Sequence, residues 1–386
     1  MLKALRARWY AFNERWQSPA TIVDNGAFLA PARLPALRKA QAERLPRAVI
    51  DAFAEAPLAA ADPRFVGREA ALESLTQGLE DWRKGQGSLS VLVGPPGAGL
   101  TSTLNQLREQ PEPVTYLSLP HRPCSTADVM RLLQAVFELE APPANTSAAI
   151  SEINGLEPRV ILLDDGHRLL ARKMGNGAAL QTLGAVLLAT QNRHCWVLAC
   201  ARQAWRRLCF LYNCQRLFTR AVDIDYFTQA ELTQAVEARI YGLGYQWALR
   251  AKLPEGSRDP LSPHFTLLHD HAEGHPQLGY FLLLQALTVD THQNLLLLDD
   301  IPRLDITSLK QCAEEELFSL AEIYAHGGLE KVEHETLFRL GTDQSLVRLE
   351  QLRHQGLLER QDTAYRLAPL MAQATVNHLV NANRLY

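Results

Sequence analysis

The sequence predicts an α/β fold in which a parallel β-sheet is covered by helices on both faces. Two observations carry this prediction. Between residues 65 and 227, short apolar runs alternate with stretches of helical periodicity, and a glycine-rich loop separates the first run from the helix that follows it. Strands that alternate with helices form parallel sheets, because each connection between neighbouring strands places a helix on one face.

The composition excludes several other classes of protein. The chain has 386 residues, of which 47% are hydrophobic and 21% are charged. These values exclude a mostly disordered chain and a collagen-like or coiled-coil fibre, and the length gives room for two or three domains at roughly 150 residues each. No apolar run approaches the roughly 18 residues of a spanning helix, and the N-terminus lacks the cleavage site of a secretory signal. We therefore expect a cytoplasmic protein without a transmembrane segment.

The charge of the chain is distributed unevenly. The net charge of −3 provides no global field that would attract nucleic acid or an anionic membrane. Residues 1–50, however, contain nine lysines and arginines and three acids. Within them Leu5, Trp9, Phe12 and Trp16 recur at helical spacing and predict an amphipathic helix. We favour packing of this helix on its own protein, and the alternative is a docking helix for a partner or a membrane surface.

The elements of the predicted sheet domain follow in order from residue 65. A helix with Ala71, Leu75 and Leu79 on one side precedes the first strand. The segments that come next are the strand SLSVLVG, the loop GPPGAGLTS, the helix TSTLNQLREQ, the strand VTYLSL, the helix CSTADVMRLLQAVFEL, the strand RVILLDD, a helix over 178–191, and the strands CWVLACA and AVDIDYF. We expect Thr126 to cap the helix that it begins, with Asp128 in the first turn.

The remainder of the chain predicts helices and one hairpin. From Thr228 to about residue 300 the pattern is helical throughout. Between Leu317 and Leu379 we expect three helices and a turn at 360–363 that joins the segments GLLER and AYRLAP. Helices followed by a small hairpin are the outline of a winged helix. Its helix-turn-helix core would be Glu333–Leu340 and Ser345–Gln355.

The loop that starts at Gly94 has the sequence and the position of a phosphate-binding loop. It lies between an apolar strand and a helix, where backbone amides and the helix N-terminus can surround an anion. The usual pattern is GxxxxGK(S/T), but here Leu100 occupies the lysine position and is followed by Thr101 and Ser102. Loss of one charge-assisted contact costs about 2–3 kcal/mol of binding. Phosphoryl transfer should suffer more, because it depends mostly on electrostatic stabilisation.

Two consecutive acids end the third predicted strand. Asp164 would hold Mg²⁺ with Thr101 or through water. Asp165 stands where a glutamate usually orients the attacking water, and its side chain is one methylene shorter. Alone, the segment LLDD equally fits a strand that ends in a polar turn. Together with the upstream loop, it predicts a nucleotide-binding fold.

These motifs together resemble those of AAA+ ATPases. The resemblance rests on FVGRE at 65–69, GPPGAGLTS, LLDD, the apolar fourth strand and GHPQ at 274–277. The most similar branch contains replication-initiator, transposon-associated and secretion-associated ATPases, and its passage after the fourth strand matches Gln215, Arg216, Leu217, Glu231, Arg239 and Gly244. The resemblance implies a P-loop base domain over 63–227, a helical lid over 228–300 and a winged-helix domain over 301–386. Residues 1–62 would be an N-terminal helical extension without a counterpart.

The resemblance also implies a role for individual residues. Residues 65–68 would lie near the adenine, and the phosphates and Mg²⁺ would be held by Gly94, Gly97, Gly99, Thr101 and Ser102. The metal ligands would be Thr101 and Asp164. Asp165 would be catalytic, with Arg216 or Arg220 as an arginine finger that acts on a neighbouring subunit. The polar residue at the end of the fourth strand would be Cys200 or Arg202. Leu100 and Gln277 replace the lysine and the lid arginine, so both cationic phosphate contacts within the subunit are absent.

Other candidate sites carry less weight. Four cysteines at 195, 200, 209 and 214 lack the paired spacing of most zinc sites, and Cys195 and Cys200 predict core positions of a strand. His269 and His271 cannot share a helix face, and we expect His167 and His275 to be polar loop residues. Residues 317–386 contain seven basic and eight acidic residues, whereas DNA binding normally requires a basic surface. DNA contact and protein docking therefore stay equally open for the winged helix.

The sequence thus predicts a degenerate AAA+ protein that binds ATP or ADP weakly, or not at all, with Mg²⁺ only when nucleotide binds, and that hydrolyses ATP poorly. We expect an adaptor or regulatory subunit, in an oligomer or bound to protein partners, of a DNA-linked bacterial machine such as a mobile element, a defence system or a replication complex. One alternative is a working ATPase in which a neighbouring subunit supplies Arg202, Arg216 or Arg220. Another is a partner-docking protein of a membrane or secretion complex that uses the 1–16 helix.

Overall fold

The structure is a computed structural model that describes residues 26–170, 176–249 and 261–385. The strands in chain order are β1 (Phe28–Leu29), β2 (Leu89–Gly94), β3 (Val114–Ser118), β4 (Val160–Asp164), β5 (Cys195–Ala201), β6 (Arg220–Asp223), β7 (Gln246–Leu249), β8 (Leu287–Asp290), β9 (Leu295–Leu298), β10 (Arg303–Leu304), β11 (Leu329–Glu330), β12 (Leu358–Gln361) and β13 (Ala364–Leu367).

The helices of the same residues are α1 (Leu34–Arg44), α2 (Arg47–Ala52), α3 (Glu69–Arg83), α4 (Leu100–Asn105), α5 (Thr126–Phe137), α6 (Thr146–Gly155), α7 (Asn176–Thr190), α8 (Arg202–Tyr212), α9 (Gln229–Ile240), α10 (Ser262–Ala272), α11 (Pro276–Ala286), α12 (Thr307–Lys310), α13 (Glu314–His326), α14 (Lys331–Phe338), α15 (Thr342–His354) and α16 (Ala372–Asn381). None of these helices is long and apolar enough to cross a membrane. Among the described residues, those within 56–226 and from 308 to 385 form one unit, here called the larger unit, and those within 26–55 and 227–307 form the smaller unit.

A five-stranded parallel sheet organises the larger unit. Its strand order is β3-β4-β5-β2-β6, and every neighbouring pair is parallel. The carboxyl ends of parallel strands lie at one edge of a sheet, which is where ligands bind in open α/β folds. The loop after Gly94, the acid Asp164 and the start of α8 therefore meet at the same edge. The predicted fold class, an α/β fold with a parallel sheet and helices, is confirmed.

Both faces of this sheet are buried, as the continuous apolar character of its strands requires. Successive side chains of a strand point to opposite faces. Val91 and Val93 of β2 accordingly belong to one buried cluster, which also contains Val129 of α5. Leu92 belongs to a second cluster, which also contains Leu75 of α3. Burial of a side chain of this size stabilises the fold by about 1.5–3 kcal/mol.

The cap of α5 differs from the one expected from the sequence. Ser125, not Thr126, is the N-cap residue, and its hydroxyl accepts a hydrogen bond from the amide of Asp128. The Asp128 carboxylate in turn accepts from the backbone amide of Ser125, which completes a capping box. The prediction of a Thr126 cap is wrong because Thr126 already lies within the first turn, where its hydroxyl contacts that of Thr182 at 3.2 Å.

The C-terminal part of the larger unit contains two successive helices and a hairpin. The helices predicted to begin at Glu333 and Ser345 are present as α14 and α15, which begin two to three residues earlier. β12 and β13 pair antiparallel around a turn, and β11 adds to β13 to complete a three-stranded sheet. The predicted hairpin is confirmed, and the assignment to the winged-helix class stays a prediction.

The smaller unit contains a sheet where the sequence predicts helices alone. β8 and β9 form an antiparallel hairpin, and β7 pairs parallel to β9. The prediction of an all-helical region from Thr228 to about residue 300 is therefore wrong. The side chains of Leu295–Leu298 alternate between half-buried and buried, as in a strand. A run of four leucines cannot be distinguished from a helical segment by periodicity alone.

Residues 26–55 are an integral part of the smaller unit. Gln41 of α1 donates a hydrogen bond to the carbonyl of Phe281 at 2.8 Å, and Arg44 donates to that of Leu284 at 2.8 Å. Phe53 packs edge-on against Tyr280, with 5.5 Å between the ring centroids. The sequence predicts an extension here without identifying the surface that it contacts. The amphipathic helix predicted over residues 1–16 lies outside the described residues.

Candidate nucleotide-binding site

The loop between β2 and α4 has the backbone conformation that its glycines permit. Gly97 and Gly99 have φ angles of 83° and 96°, values in the left-handed region that glycine adopts without steric cost. A Cβ atom on Gly94 would lie 2.7 Å from Cγ1 of Ile224 and 3.0 Å from its carbonyl oxygen. Each of the three glycines is thus required, either by the turn or by the close approach of the strand end to Ile224.

Leu100 begins α4 at the position of the usual lysine. Its side chain is partly buried and packs against the core cluster that contains Leu92 and Leu104. The position from which a cation would reach a bound triphosphate therefore holds an apolar side chain that packs into the domain. The sequence predicts that the lysine charge is missing, and the structure shows that Leu100 packs against the core.

Thr101 and Asp164 lie together as the sequence predicts. The Thr101 hydroxyl donates to Oδ2 of Asp164 at 2.7 Å, and the Tyr116 hydroxyl donates to the same atom at 2.9 Å. Oδ1 accepts from the amide of Asp165 at 2.8 Å. Burial raises the pKa of Asp164, although the hydrogen bonds from Thr101 and the Asp165 amide oppose the shift. A threonine hydroxyl and a carboxylate are oxygen ligands of the kind that Mg²⁺ prefers, so these residues fit the metal.

Tyr116 was not identified from the sequence. It lies in β3, which is the edge strand beside β4, and parallel register places Tyr116 opposite Leu162. Burial and the Asp164 carboxylate raise the pKa of its hydroxyl, so the hydroxyl remains a hydrogen-bond donor at neutral pH. Tyr116 is the middle residue of β3, which also contains Thr115 and Ser118, so its polar atom does not stand out in the sequence.

The Asp165 carboxylate is held by neighbouring side chains. The Ser118 hydroxyl donates to its Oδ2, and Nδ1 of His167 lies 3.7 Å from its Oδ1. Asp165 itself has a left-handed φ of 56°. Burial lowers the pKa of His167 to about 4, and the nearby Arg122 and Arg168 lower it further, so the ring is neutral at pH 7. His167 lies in a 3-10 helix, Gly166–Leu169, immediately after the strand.

Ser102 makes a contact that the sequence does not predict. Its hydroxyl oxygen accepts a hydrogen bond from the amide of Leu58 at 3.0 Å. Two further side chains of the same segment, Asn105 and Gln106, donate to the carbonyls of Leu58 and Ala59 at 2.8 Å and 2.7 Å. The predicted phosphate ligand thus also anchors residues 58–61 along α4.

Two arginines lie at the loop edge of the sheet in this unit. Arg68 is only 7% exposed, and its guanidinium donates to the carbonyl of Ala98 in the loop and to that of Asp225. Arg202 forms ion pairs with Asp223 at 2.8 Å and with Asp225 at 3.2 Å. Both guanidinium groups therefore bond to protein oxygens. The adjacent Cys200 is fully buried, and burial raises the pKa of its thiol.

The two candidate arginine fingers differ in their surroundings. Arg220 is paired with Asp81 at 2.9 Å. It lies opposite Ser90 of β2, about 13 Å along the strand from the loop that follows Gly94. Arg216 ends a 3-10 helix, is exposed, and has no ion pair with any residue in the described ranges. Neither arginine lies at the phosphate-type loop of its own chain. This is the arrangement expected of an arginine finger, which acts on the site of a neighbouring subunit.

Gln277 and the histidines near it belong to the smaller unit. Gln277 is the second residue of α11 and is half-buried. His275 caps this helix, because its Nδ1 accepts from the amide of Leu278 at 3.3 Å. Burial lowers the pKa of His275 to about 4. His271 Nδ1 contacts the carbonyl of Pro302 at 3.1 Å and His269 Nε2 contacts that of Phe227 at 3.2 Å, so the three rings contact separate partners.

Comparison with protein families identifies the class of the sheet domain. A family model described as an AAA domain matches residues 83–208. This range starts at the end of α3, contains the loop, Asp164 and Asp165, and ends in α8. The parallel sheet and this match together show that the sheet domain has the fold of P-loop AAA+ ATPases.

Three solved structures follow a course of the chain similar to this one. The Walker-type ATPase paby2304 of Pyrococcus abyssi is 13% identical, and the alignment covers 84% of this chain and 99% of that one, with a TM-score of 0.45. The ADP form of the Aeropyrum pernix ORC2 protein is 14% identical over 86% and 98%, with a TM-score of 0.46. The Thermotoga maritima RuvB Holliday junction branch migration motor is 16% identical over 84% and 98%, with a TM-score of 0.39. Similarity this low supports no conclusion about function. No curated protein sequence matches the chain.

Proposed function

We propose that this chain is an adaptor or regulatory subunit that retains a nucleotide-binding fold and hydrolyses ATP poorly or not at all. The observation that carries the proposal is Leu100, an apolar side chain packed into the core where the fold usually places a lysine. We place the subunit in a DNA-linked bacterial machine, because the most similar branch of the family works in such machines. Its partners would be other subunits of that assembly.

The site retains residues that would bind a metal, and the cations described beside the loop are engaged by protein oxygens. Thr101 and Asp164 remain paired, and the left-handed glycines preserve the shape of the loop. Arg68 and Arg202, which lie beside the loop, already bond to backbone carbonyls and to carboxylates. This combination supports weak, Mg²⁺-dependent nucleotide binding without strong stabilisation of the transferred phosphoryl group.

The arrangement of Asp165 supports slow hydrolysis independently of Leu100. A carboxylate that orients water must direct an acceptor lone pair at that water, and each hydrogen bond that it already accepts occupies one of its few lone pairs. Here one oxygen accepts from Ser118 and the other lies 3.7 Å from the His167 ring. The shorter aspartate also reaches less far than the glutamate that usually stands at this position.

A substitution at Leu100 tests the proposal. We expect Leu100→Lys to tighten ATP binding about 10- to 100-fold, the size of one charge-assisted contact, while turnover stays low because Asp165 is unchanged. Leu100→Met, which keeps the size and adds no charge, is the matched control and should bind ATP as the wild type does. The measurements are ATP titration calorimetry and phosphate release. A wild-type turnover of about 1 per second, ordinary for this chemistry, would refute the proposal.

A working oligomeric ATPase is the second candidate, and one observation favours it. Arg216 is exposed and lacks an ion-pair partner in the described part of the chain, whereas Arg202 and Arg220 are both engaged by acids. If Arg216 completes the site of a neighbouring subunit, phosphate release per molecule should rise steeply with protein concentration. Repeating the wild-type assay over a wide range of concentrations separates this candidate from a non-hydrolysing adaptor.

The C-terminal module supports a protein partner more than DNA. This module is residues 308–385, and three of its five exposed large apolar side chains lie on α14 and α15: Val332, Leu346 and Val347, at 62%, 39% and 55%. On α15, Arg353 forms an ion pair with Glu350 at 2.7 Å. The carboxylate offsets the attraction of this arginine for a phosphate backbone. We therefore assign α15 to protein docking, the interpretation that the negative charge of this region also favours.

A further inference from the structure

A cavity of about 360 Å³ in the larger unit is lined by His167, the residue whose Nδ1 lies 3.7 Å from Oδ1 of Asp165. One wall is the connection after β3, with Arg122, and a second is the 3-10 helix that contains His167 and Arg168. The remaining walls come from the C-terminal module, namely residues 326–337 and Arg366 of β13. Its volume lies in the range of about 300–1,000 Å³ that is typical of sites for small ligands.

Arg122 builds this cavity and does not supply free charge to it. Its Nε donates to Glu333 at 3.0 Å. Its terminal nitrogens donate to the carbonyls of Leu170, His326 and Gly328 at 3.2 Å, 3.0 Å and 2.6 Å. Burial lowers the pKa of Arg122, while Glu333 opposes the shift. Arg122 therefore joins the sheet domain to the C-terminal module, and its charge is balanced by Glu333.

Arg168 and Arg366 line the same cavity, and each of them donates a hydrogen bond to a neutral acceptor. Arg168 donates to the carbonyl of Pro120 at 2.8 Å, and Arg366 donates to the side-chain oxygen of Gln361 at 2.6 Å. Neither is paired with a carboxylate among the residues that the structure describes. A guanidinium has five N–H groups, so each of these two retains donors for another acceptor. Glu330, the second acid of the wall, is exposed and accepts from Thr363.

Two histidines of the wall, His167 and His326, are neutral at pH 7 and add no charge to that of the arginines. Burial lowers the pKa of both His167 and His326 to about 4. Apolar side chains complete the lining: Leu329, Val332 and Leu337. The cavity thus combines two unpaired guanidinium groups with an apolar wall, which suits an anion that carries a less polar group.

We propose that this cavity is a binding site for a phosphate group, held by Arg168 and Arg366. The planar fork of arginine matches the geometry of phosphate oxygens and can donate two parallel hydrogen bonds. The phosphate would belong either to a small phosphate ester that fits the cavity or to a nucleic-acid backbone that reaches it. The site is separate from the loop at Gly94–Gly99 and goes beyond the proposed adaptor function.

Binding of defined probes to the full chain tests this site. Inorganic pyrophosphate and adenosine monophosphate represent the small esters, and a short single-stranded oligonucleotide represents the backbone. We expect binding of the responsible probe, measured by calorimetry, to weaken at least about tenfold in Arg168→Gln and in Arg366→Gln. Arg131→Gln is the matched control, because Arg131 is 65% exposed, pairs with Asp128 and lies outside the cavity.

A second comparison distinguishes this site from the loop. Thr101→Ala should reduce binding at the loop and leave binding at the cavity unchanged. Arg168→Lys retains the charge and loses the fork, so we expect an affinity between those of the wild type and Arg168→Gln, with the same circular dichroism spectrum. Equal affinity of the wild type and the doubly substituted Arg168→Gln, Arg366→Gln chain would overturn the proposal. So would a loss confined to Thr101→Ala, or the failure of every probe to bind.

Discussion

Thr101 and Asp164 are joined by a hydrogen bond of 2.7 Å that connects the first turn of α4 to the end of β4. The carboxylate also accepts from the Tyr116 hydroxyl and from the Asp165 amide. Even so, the pKa of Asp164 is raised, because burial disfavours the charged form more than these bonds favour it. The charged form of Asp164 therefore lowers the stability of the free protein, and a cation held by Thr101 and Asp164 would offset this cost.

The substitution Asp164→Asn should stabilise the free protein at pH 7. A carboxyl group whose pKa is higher in the folded state contributes most below its unfolded pKa and loses that contribution as the pH rises through the folded value. At neutral pH the buried charge of Asp164 is thus unfavourable. In the variant, the hydroxyls of Thr101 and Tyr116 can rotate to accept hydrogen bonds from the side-chain amide of the asparagine. We expect a melting temperature a few degrees higher at pH 7, with the difference shrinking as the pH is lowered to 4.

Asp128→Asn is the control, because the pKa of Asp128 is shifted in the opposite direction to that of Asp164. Hydrogen bonds from Ser125 and from the amide of Cys124 lower the pKa of Asp128 to about 2. Its contribution is present above the unfolded pKa and is lost as the pH falls through the folded one. Because Asp128 also completes the cap of α5, we expect a loss of about 1 kcal/mol at pH 7. Identical pH profiles for the two variants would contradict the assignment of a buried, unfavourable charge to Asp164.

A buried histidine makes the C-terminal module sensitive to acid. Nδ1 and Nε2 of His334 contact the hydroxyls of Ser345 and Ser319 at 2.8 Å and 3.0 Å, and burial lowers its pKa to about 4. The unfolded chain binds a proton near pH 6.5, so stability is full above that pH and falls between 6.5 and 4. The expected loss is on the order of 3 kcal/mol.

His334→Gln should reduce this pH dependence, although it can lower stability at pH 7. The measurement is the urea midpoint of unfolding at pH 7 and pH 4.5, and the quantity of interest is the difference between the two. His354→Gln, at an exposed position of α15, should leave that difference unchanged. If the two variants lose equal stability on acidification, the buried ring of His334 is not the source.

Local sequence patterns were sufficient to predict the sheet and the loop. They were not sufficient to predict which side chains surround the site. The apolar runs and the glycines at 94, 97 and 99 predict a strand, a phosphate-type loop and a helix, because each is encoded by adjacent residues. Ser118 contacts Asp165 only because β3 lies beside β4. Strand order is determined by packing across the whole domain, so a single sequence does not reveal this pair.

The same limit explains the two predictions that were wrong. A run of leucines at 295–298 suits a helix or a strand equally, and its pairing with β7 and β8 decides for a strand. Ser125 and Thr126 are both good capping residues, and the position of Asp128 three residues after Ser125 selects the former. Contacts between distant segments and small shifts of register are the information that local patterns omit.

Gly327 should tolerate no side chain, because of its contact with His167. A Cβ atom there would lie 2.3 Å from Cδ2 and 2.5 Å from Nε2 of the ring, and the residue has a left-handed φ of 66°. We expect Gly327→Ala to destabilise the larger unit by about 2–4 kcal/mol, from backbone strain and overpacking together. Gly155→Ala is the matched control. Gly155 ends α6, is exposed, and has no atom within 4 Å of the added carbon, so alanine should be neutral or stabilising.

A double-mutant cycle separates the two parts of this cost. His167→Ala removes the ring that the new carbon meets and leaves the backbone strain in place. The doubly substituted chain should therefore recover at least about 1 kcal/mol relative to the sum of the single effects, as expected for residues in contact. Urea unfolding of the four chains at pH 7 gives the coupling free energy. Strict additivity would mean that Gly327 is required for its φ angle alone. The contact between His167 and Gly327 would then contribute nothing to stability.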